Sequence, residues 1–411
     1  MGNVIVDQIA PDGNLIGDVD TTLTPTQRVH LLVSALPGAT AERYAGARVV
    51  RFKDQVILSA QVTYLGTPWQ PYKKRIQIPR SWLAVHRQAE LDGLTTRFVG
   101  VYHYGSTTIF VDFNPTTYVR RNLNNSAAHV FTNDLFQAQT LGQFSRVDRN
   151  GNRLTSVRAD ELEMYLMTGY EERNPHIEVI AQFSEAFLDG ARIEALDAIQ
   201  EMHAAGWPDK FQNEWAGFYV EFRLSQFLAE RGLGGVVAVQ KEKRRGQFDY
   251  DLQFFKDGHL EHYGDLKASN VAATDSPGND AANFYRCLEE CGRFWYVVYE
   301  HETWHGRDNG NTATREWNEW RRSVGHVGRG DYNPLSYAAR FKEAVRFVNV
   351  KVLEVNLTNV GTVLGEFQKD FRQPDGKPRK GKVMIRKKDM ENFLIYSLSI
   401  RTAASDPSRA E

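Results

Sequence analysis

Two aspartates and a lysine near the middle of the chain are the residues whose types and spacing best suit chemistry. They lie in the segment Phe248–Asn270, FDYDLQFFKDGHLEHYGDLKASN, whose Asp-Gly pair is a strong signal for a hairpin turn. Such a hairpin brings Asp249 or Asp251 on the first strand close to Asp265 on the second strand. Asp265 and Lys267 are two residues apart, so both leave the second strand on the same face.

Paired carboxylates beside an ammonium group suit metal-assisted hydrolysis. Mg²⁺ prefers oxygen ligands and takes one or two carboxylates together with substrate phosphate and water. A bound ion lowers the pKa of its water and stabilises charge on a phosphoryl oxygen, while Lys267 can orient or help to deprotonate the attacking water. The segment therefore predicts a Mg²⁺ site for phosphoryl chemistry, and a surface hairpin with an ordinary ion pair is the alternative.

Asp251 together with Asp265-Leu266-Lys267 resembles the PD-(D/E)XK signature of the restriction-endonuclease-like nuclease superfamily. The resemblance covers residues 213–305 and implies a mixed sheet flanked by helices. It also implies Mg²⁺-dependent hydrolysis of double-stranded DNA, most like that of a type II restriction endonuclease. In that family pattern Asp251 and Asp265 bind the metal, with the Leu266 carbonyl as a further ligand. Lys267 then positions the attacking water.

A glutamate on the helix before the hairpin often joins the metal site in this superfamily. Apolar residues at helical spacing predict such a helix over Asn213–Arg231. Glu221 lies within it and is the glutamate that we expect to support the metal. A solvated or ion-paired helix residue is the alternative interpretation of Glu221.

The sequence departs from the superfamily signature at one position, because no proline precedes the first aspartate. Either Asp249 or Asp251 can therefore be the metal ligand, and strand alternation cannot separate two residues that share a face. A two-residue turn at Asp257-Gly258 points Asp251 away from Asp265. One extra residue in the turn places Asp251 opposite Asp265, and we favour Asp251 on that ground.

The chain has 411 residues, enough for two domains with large cores. Short strand-like segments at regular spacing predict a β-rich, barrel-like domain over residues 1–150, which we expect to recognise DNA. Helical periodicity over residues 151–206 predicts a helical connection, and residues 207–405 are predicted to form the nuclease domain. The predicted fold class is α/β (α+β), with a β-rich barrel-like domain followed by a restriction-endonuclease-like mixed sheet flanked by helices.

Four further segments have patterns that predict local structure. Residues 1–25 are polar and predict a loose start, and residues 146–158 contain Asn-Gly and predict a linker. Residues 270–280 predict a polar loop after the hairpin, whereas residues 336–347 predict a helix.

Composition limits the partners and the compartment. The net charge of −1 argues against uniform attraction to nucleic acid, so a DNA-binding surface must come from local clusters. The two cysteines, Cys287 and Cys291, are typical of a reducing cytoplasm. We find neither a signal peptide nor an apolar run long enough to span a membrane, and no P-loop. The sequence therefore predicts a cytoplasmic protein that needs neither a membrane nor a nucleotide cofactor.

Two clusters of basic residues are candidate DNA-binding surfaces. One lies among aromatic residues in TYLGTPWQPYKKR, which suits phosphate contact and base stacking, and the other lies in KDFRQPDGKPRKGKVMIRKKDM. Solvated strands and turns are the alternative. The basic residues that we expect to contact DNA are Lys73, Lys74, Arg75, Lys377, Arg379, Lys380 and Lys382.

The expected assembly follows from the substrate. The two strands of a duplex run antiparallel, and two sites related by a two-fold axis can address both, so we expect a homodimer. One alternative is a modification-dependent restriction endonuclease whose aromatic-rich first domain holds a flipped base. Another is a DNA-binding protein built on an inactive nuclease fold.

Overall fold

The structure is a computed structural model of the chain, which divides into two compact units, residues 1–173 and 174–411. It describes residues 4–121, 125–148, 152–172, 174–208, 214–240, 250–310, 312–326, 341–357, 359–367 and 381–400. Among these residues, none of the helices combines the length and the apolar composition that a membrane span requires.

The first unit is β-rich, as the sequence predicts. Its strands are β1 (Ile5–Ile9), β2 (Leu15–Val19), β3 (Thr40–Tyr44), β4 (Ala47–Phe52), β5 (Gln55–Gln61), β6 (Thr63–Tyr64), β7 (Lys73–Pro79), β8 (Thr95–Tyr104), β9 (Thr107–Phe113), β10 (Asn125–Phe131), β11 (Gln143–Val147) and β12 (Arg153–Arg158). The main sheet has the order β11-β12-β9-β8-β5-β4-β3, and smaller sheets contain β10-β7-β6 and β1-β2. The helices are α1 (Pro25–Ala35), α2 (Ser81–Leu91), α3 (Pro115–Arg121), α4 (Thr132–Leu141) and α5 (Leu162–Thr168), with a 3₁₀ turn at Ala159–Glu161.

Two segments of the first unit differ from the prediction. Residues 4–25 are not a loose start, because β1 and β2 form a hairpin whose Ile9 N–H donates a hydrogen bond to the Tyr102 hydroxyl at 2.7 Å. Residues 1–3 lie outside the described part of the chain. Residues 146–148 and 152–158 are not a linker, because β12 pairs with β9 and β11 inside the main sheet. Their polarity misled the prediction, since Arg146 is buried in an ion pair with Asp134, with Nε and Oδ1 2.7 Å apart. Residues 149–151 lie outside the described part of the chain.

The second unit is built on a mixed sheet. Its strands are β13 (Ile193–Glu194), β14 (Val237–Val239), β15 (Leu252–Lys256), β16 (His259–Asn270), β17 (Asp275–Asp280), β18 (Arg293–His305), β19 (Lys342–Asn356), β20 (Leu364–Phe367), β21 (Lys382–Arg386) and β22 (Leu394–Ser399). The main sheet has the order β13-β19-β18-β16-β15-β14, with β22 paired to β19, and a small sheet has the order β17-β21-β20. Strands β16 and β18 are parallel, and the other pairs are antiparallel.

Helices cover both faces of this sheet. They are α6 (Pro175–Phe187), α7 (Ala195–Ala204), α8 (Trp215–Arg231), α9 (Ala281–Cys291) and α10 (Thr312–Ser323), with shorter turns at Gly306–Asn309, Val360–Val363 and Lys387–Asn392. Alternate residues of β18 meet different helices: Tyr299 contacts Phe183 of α6, and Phe294 contacts Phe284 of α9. Burial of both faces explains the unbroken apolar run Phe294–Tyr299 in β18. The mixed α/β fold class is therefore confirmed.

Two predictions of local structure in the second unit are wrong. The polar stretch that we predicted as a loop contains β17, which pairs with β21. The predicted helix over residues 336–347 is contradicted from residue 342 onward, because those residues belong to β19 and pair with β18. Residues 336–340 lie outside the described part of the chain. In both places the conformation depends on pairing with a strand that is distant in the chain, and the local sequence pattern does not predict such pairing.

Candidate active site

The hairpin of β15 and β16 is the framework of the candidate site. Its turn consists of Asp257 and Gly258, with φ angles of 51° and 77°, as a two-residue hairpin turn requires. Phe254 pairs with His262, yet the next residue, Phe255, pairs with Leu260. One extra residue therefore lies in β16, and this β-bulge shifts the register of everything beyond it.

The bulge brings the first aspartate to the second. Beyond the bulge Leu252 pairs with Gly264, so Asp251, the next residue outward, comes beside Asp265. Asp251 also accepts a hydrogen bond from the Leu266 N–H at 3.2 Å. The extra residue that we placed in the turn lies in the strand instead. Asp249 lies outside the described residues, so its candidacy as a ligand stays a prediction.

The predicted catalytic residues line one cavity of about 590 Å³. Asp265 is 2% exposed and forms an ion pair with Lys267. Glu221, on α8, is 8% exposed and faces the same cavity. Asp251 and Leu266, the residue between Asp265 and Lys267, also line it. A helix and both strands of a hairpin thus converge on a single volume.

The charges in this cavity are unbalanced. Burial, and then the charge of Asp265, raise the pKa of Asp251 well above its usual value. Burial alone would lower the pKa of Lys267, but Asp265, Asp251 and Glu221 offset it, and the pKa is raised. Three carboxylates thus act on the Lys267 ammonium group, and across the whole cavity the carboxylates outnumber the lysines.

A second wall of the cavity was not predicted as part of the site. It consists of residues from β17, the start of α9, and β21: Gly278, Asn279, Asp280, Asn283 and Lys382. The Asn279 Oδ1 is buried and has no hydrogen-bond partner among the residues that the structure describes. A Cβ on Gly278 would lie 2.6 Å from Val383 Cγ2 and 3.0 Å from the Tyr296 hydroxyl, so only glycine lets β17 approach this closely.

The oxygen donors of the cavity fit a hard divalent cation. Asp265 is close enough to Asp251 to raise the pKa of the Asp251 carboxyl, and the orphaned Asn279 amide oxygen adds a neutral donor. Mg²⁺ takes carboxylate and carbonyl oxygens and retains several waters, which a cavity of this volume accommodates. Glu221 adds a further oxygen donor to the cavity from the α8 side.

Of the four residues of the second basic cluster that we expect to contact DNA, only one is described. Lys382 is exposed on β21 and lines the cavity with the carboxylates, although the sequence placed it on a separate DNA-binding loop. The remaining three, Lys377, Arg379 and Lys380, lie outside the described residues.

The first basic cluster divides along β7. Lys73 and Arg75 are half-exposed, and the Lys73 ammonium lies 5.0 Å from the ring centre of Trp69, which is 49% exposed. Lys74 is 0% exposed, with its Nζ 3.6 Å from Asp20 Oδ1. Strand alternation turns Lys74 inward, so it does not lie on a surface that DNA can reach. This placement corrects the prediction for Lys74 and leaves Lys73 and Arg75 as candidates.

Comparisons with known proteins identify one region of the chain. Residues 53–166 match the family model MTaX1, described as Methylase-associated X1. This region lies within the first unit and runs from just before β5 into α5. No curated protein and no solved structure matches the chain. The family match suggests an association with restriction-modification systems.

Proposed function

We propose that this protein is a Mg²⁺-dependent endonuclease that cleaves double-stranded DNA in a restriction-modification system, most like a type II restriction endonuclease. The observation that carries the proposal is the cavity in which Asp251, Asp265, Glu221 and Lys267 converge on the edge of a mixed sheet. A buried cluster with unbalanced negative charge and strongly shifted pKa values is typical of a functional site.

Each residue of the cavity has a distinct role in the proposed reaction. Asp251 and Asp265 would hold Mg²⁺, with Glu221 and the Leu266 carbonyl as supporting ligands. The bound ion supplies an activated water and stabilises charge on the phosphoryl oxygen. Because its pKa is raised, Lys267 keeps its proton at neutral pH, and it therefore orients the water by donating a hydrogen bond.

The exposed Lys382 belongs to the substrate side of the same proposal. Its ammonium group lies at the cavity wall, where it can contact a phosphate adjacent to the scissile bond. In the first unit, Lys73 and the exposed Trp69 combine a cation with an aromatic surface, a pairing that suits contact with a phosphate and a base. DNA recognition is thus assigned to the first unit and hydrolysis to the second.

The family match supports the biological setting. A chain that works beside a DNA methylase would cut only where methylation is missing, so methylation of its site would protect the host genome. The methylase-associated region lies in the first unit, the unit proposed to recognise DNA. Conventional restriction is therefore the favoured form of the activity.

A modification-dependent nuclease is the second candidate, and a cavity of about 500 Å³ in the first unit favours it. Arg97 and Asp112 meet there in an ion pair with Nη1 and Oδ2 2.8 Å apart, and the Tyr165 hydroxyl donates to the same Asp112 oxygen at 2.8 Å. The other oxygen, Asp112 Oδ1, is buried without a hydrogen-bond partner among the described residues. A flipped base could offer its edge amine to that oxygen.

The test is incubation of the purified protein with methylated and unmethylated genomic DNAs, with Mg²⁺ or with EDTA. Discrete fragments from unmethylated DNA with Mg²⁺, and none with EDTA, are the expected result. Cleavage of methylated DNA alone would select the modification-dependent candidate. DNA binding with no cleavage under any divalent metal would identify a DNA-binding protein on an inactive nuclease fold and overturn the proposal.

The proposed assembly is a homodimer, at least on DNA, that cuts both strands in one binding event. Light scattering of a complex held with Ca²⁺ would measure the mass. A strictly monomeric complex, together with nicked circles that accumulate before linear product, would instead indicate sequential nicking by single sites.

A further inference from the structure

A second cluster of ligand-type side chains lies on the same strand as Asp265 but on the opposite face of the sheet. His176, Glu261 and His262 each offer one ligand atom, and these atoms lie within 4.8 Å of one another. His262 and Asp265 are three residues apart on β16, where the pairing with neighbouring strands is regular, so their side chains leave on opposite faces. The cluster is therefore separate from the proposed Mg²⁺ cavity.

The bulge in β16 explains how consecutive residues reach one point. Glu261 is the extra residue between the pairs formed by Leu260 and His262, and a bulge re-aims the side chain at such a position. His176 comes from the first turn of α6, where the Asn174 side chain caps the helix by accepting a hydrogen bond from the His176 N–H at 3.1 Å. Two separate elements are thus fixed around the cluster.

The hydrogen bond of His176 decides which of its ring nitrogens is available. Its Nε2 lies 2.8 Å from the Phe255 carbonyl oxygen, which can only accept, so Nε2 carries the proton. The unprotonated Nδ1 then faces Glu261 Oε2 at 3.7 Å. Two lone pairs oppose each other across this gap, and a cation between them would turn the repulsion into coordination.

His262 is the most confined member of the cluster. It is 0% exposed and packs between Phe254 and Trp295, with ring centres 4.6 Å and 4.7 Å away. Neither ring nitrogen has a hydrogen-bond partner in the described part of the chain, and Nδ1 lies 3.9 Å from Glu261 Oε2. The ring is completely buried and both of its nitrogens are unpartnered within the described residues, so one of them can bind an ion held by the cluster.

Arg293 orients the carboxylate of the cluster. Its guanidinium binds Glu261 Oε1, which leaves Oε2 directed at the two histidines. Arg293 is shared with Glu354, whose Oε2 lies 3.8 Å from Nη1. Glu261 is thus held on one side by Arg293 and presents Oε2 to two imidazoles, a set of oxygen and nitrogen donors that suits a divalent transition metal. Outer partners of this kind commonly hold metal ligands in place.

We propose that His176, Glu261 and His262 bind a divalent transition-metal ion, with Zn²⁺ as the expected occupant, in a site distinct from the proposed Mg²⁺ cavity. Two imidazoles and one carboxylate form a known zinc ligand set that leaves a position for water, and imidazole nitrogen favours Zn²⁺ over Mg²⁺. The ion would join α6 to the hairpin that carries Asp265, and so stabilise the framework of the cavity.

The experiment is a titration of Zn²⁺ into chelator-washed full-length protein, followed by calorimetry and by elemental analysis after gel filtration. One Zn²⁺ per chain is expected, with binding that excess Mg²⁺ does not displace. Substitution of Co²⁺ should give the visible absorption of a four-coordinate site. Failure of the wild-type protein to retain one equivalent of Zn²⁺ or Co²⁺ would overturn the proposal.

Matched variants locate the ion. Glu261→Gln and His262→Gln should each weaken Zn²⁺ binding by at least about tenfold, whereas His259→Gln, which changes an exposed histidine of the same hairpin, should not. Glu261 is partly exposed, so Glu261→Gln decides the matter even where the buried His262→Gln fails to fold. Unchanged Zn²⁺ binding in Glu261→Gln would contradict the site. Asp265→Ala should keep its Zn²⁺, which separates this inference from the proposed DNA cleavage.

Discussion

Lys74 in the first unit and Lys267 in the second are both held beside aspartates, yet their pKa values shift in opposite directions. Burial lowers the pKa of Lys74, and the nearby Asp20 and Asp7 do not offset it. The carboxylates around Lys267 do offset burial, and its pKa is raised. The same pairing of residue types therefore describes two different environments.

The difference teaches how to separate a structural charge from a functional one. Lys74, on β7, is buried against the hairpin of β1 and β2, and its Nζ lies 5.8 Å from the ring centre of Tyr102. Its charge therefore stabilises the packing of these elements. Lys267 lies at a cavity where the negative charge exceeds its own, as the raised pKa of Asp251 shows. A surplus of carboxylates beside open volume can be relieved by a proton or by a bound cation, and this surplus favours the catalytic interpretation.

The largest expected effect is on cleavage. Lys267→Ala and Asp265→Ala should each lower the single-turnover cleavage rate by more than about 100-fold, because one removes the group that orients the water and the other removes a metal ligand. Gel shifts should show nearly unchanged DNA affinity. Lys256→Ala, which removes an exposed lysine of the same hairpin, is the control. Near wild-type cleavage by either site variant would show that the metal site is wrongly placed.

Lys74→Met should instead act on stability. The substitution removes the positive charge that acts on the partly buried Asp7. A buried charged group that loses its partner lowers the free energy of unfolding by about 1–3 kcal/mol. Denaturant unfolding would measure the loss in the first unit. The cleavage rate per folded molecule should stay near that of the wild type. A variant with wild-type stability that has lost DNA binding would instead show that Lys74 contacts DNA.

Asp251→Asn should stabilise the metal-free protein while it abolishes cleavage. The folded-state pKa of Asp251 is raised above its usual 3.8, so the proton is held more tightly in the native state. Stability from this group is present below pH 3.8 and is lost as the pH rises toward the folded-state pKa. Asparagine carries no charge, so the variant avoids that loss. At neutral pH in EDTA its melting temperature should rise by about 2–4 °C for each kcal/mol gained in the free energy of unfolding. A melting temperature of Asp251→Asn equal to or below that of the wild type at neutral pH would contradict the claim that the buried Asp251 carboxylate destabilises the metal-free protein.

The smallest effect is expected for Lys73→Met, the neighbour of Lys74 on β7. Lys73 is half-exposed beside Trp69, so its loss should weaken DNA binding uniformly across sequences and reduce the salt slope by about 1. The free energy of unfolding should change by less than about 0.5 kcal/mol. An unchanged salt slope would remove Lys73 from the DNA-binding surface.

Part of the candidate site could be predicted because it depends only on local rules. Strand alternation places Asp265 and Lys267 on one face, and apolar periodicity predicts the helix that carries Glu221. The position of Asp251 depends on the bulge at Glu261, and nothing in a strand sequence marks which residue is left unpaired. We placed the extra residue in the turn, whereas the turn has two residues and the extra residue lies in β16.

The remaining wall of the cavity could not be predicted, for a different reason. Asn279 belongs to a segment whose proline, glycine and aspartates are typical of loops, yet it forms β17 because β21 pairs with it from about a hundred residues away in the chain. Lys382 enters the site on that partner strand. The burial of Lys74 also depends on long-range contacts, since a basic residue between two others has no local signal for facing inward.

The most direct test of the surplus charge is a calorimetric titration of Ca²⁺ into the complex of the protein with DNA that it cleaves in Mg²⁺. Ca²⁺ prefers oxygen ligands, so it reports on the carboxylate cavity rather than on the histidines. We predict saturable Ca²⁺ binding by the wild-type complex and its loss in Asp265→Asn, with Lys256→Ala unchanged. Identical Ca²⁺ binding by the wild type and by Asp265→Asn would contradict the assignment of this cavity as the metal site.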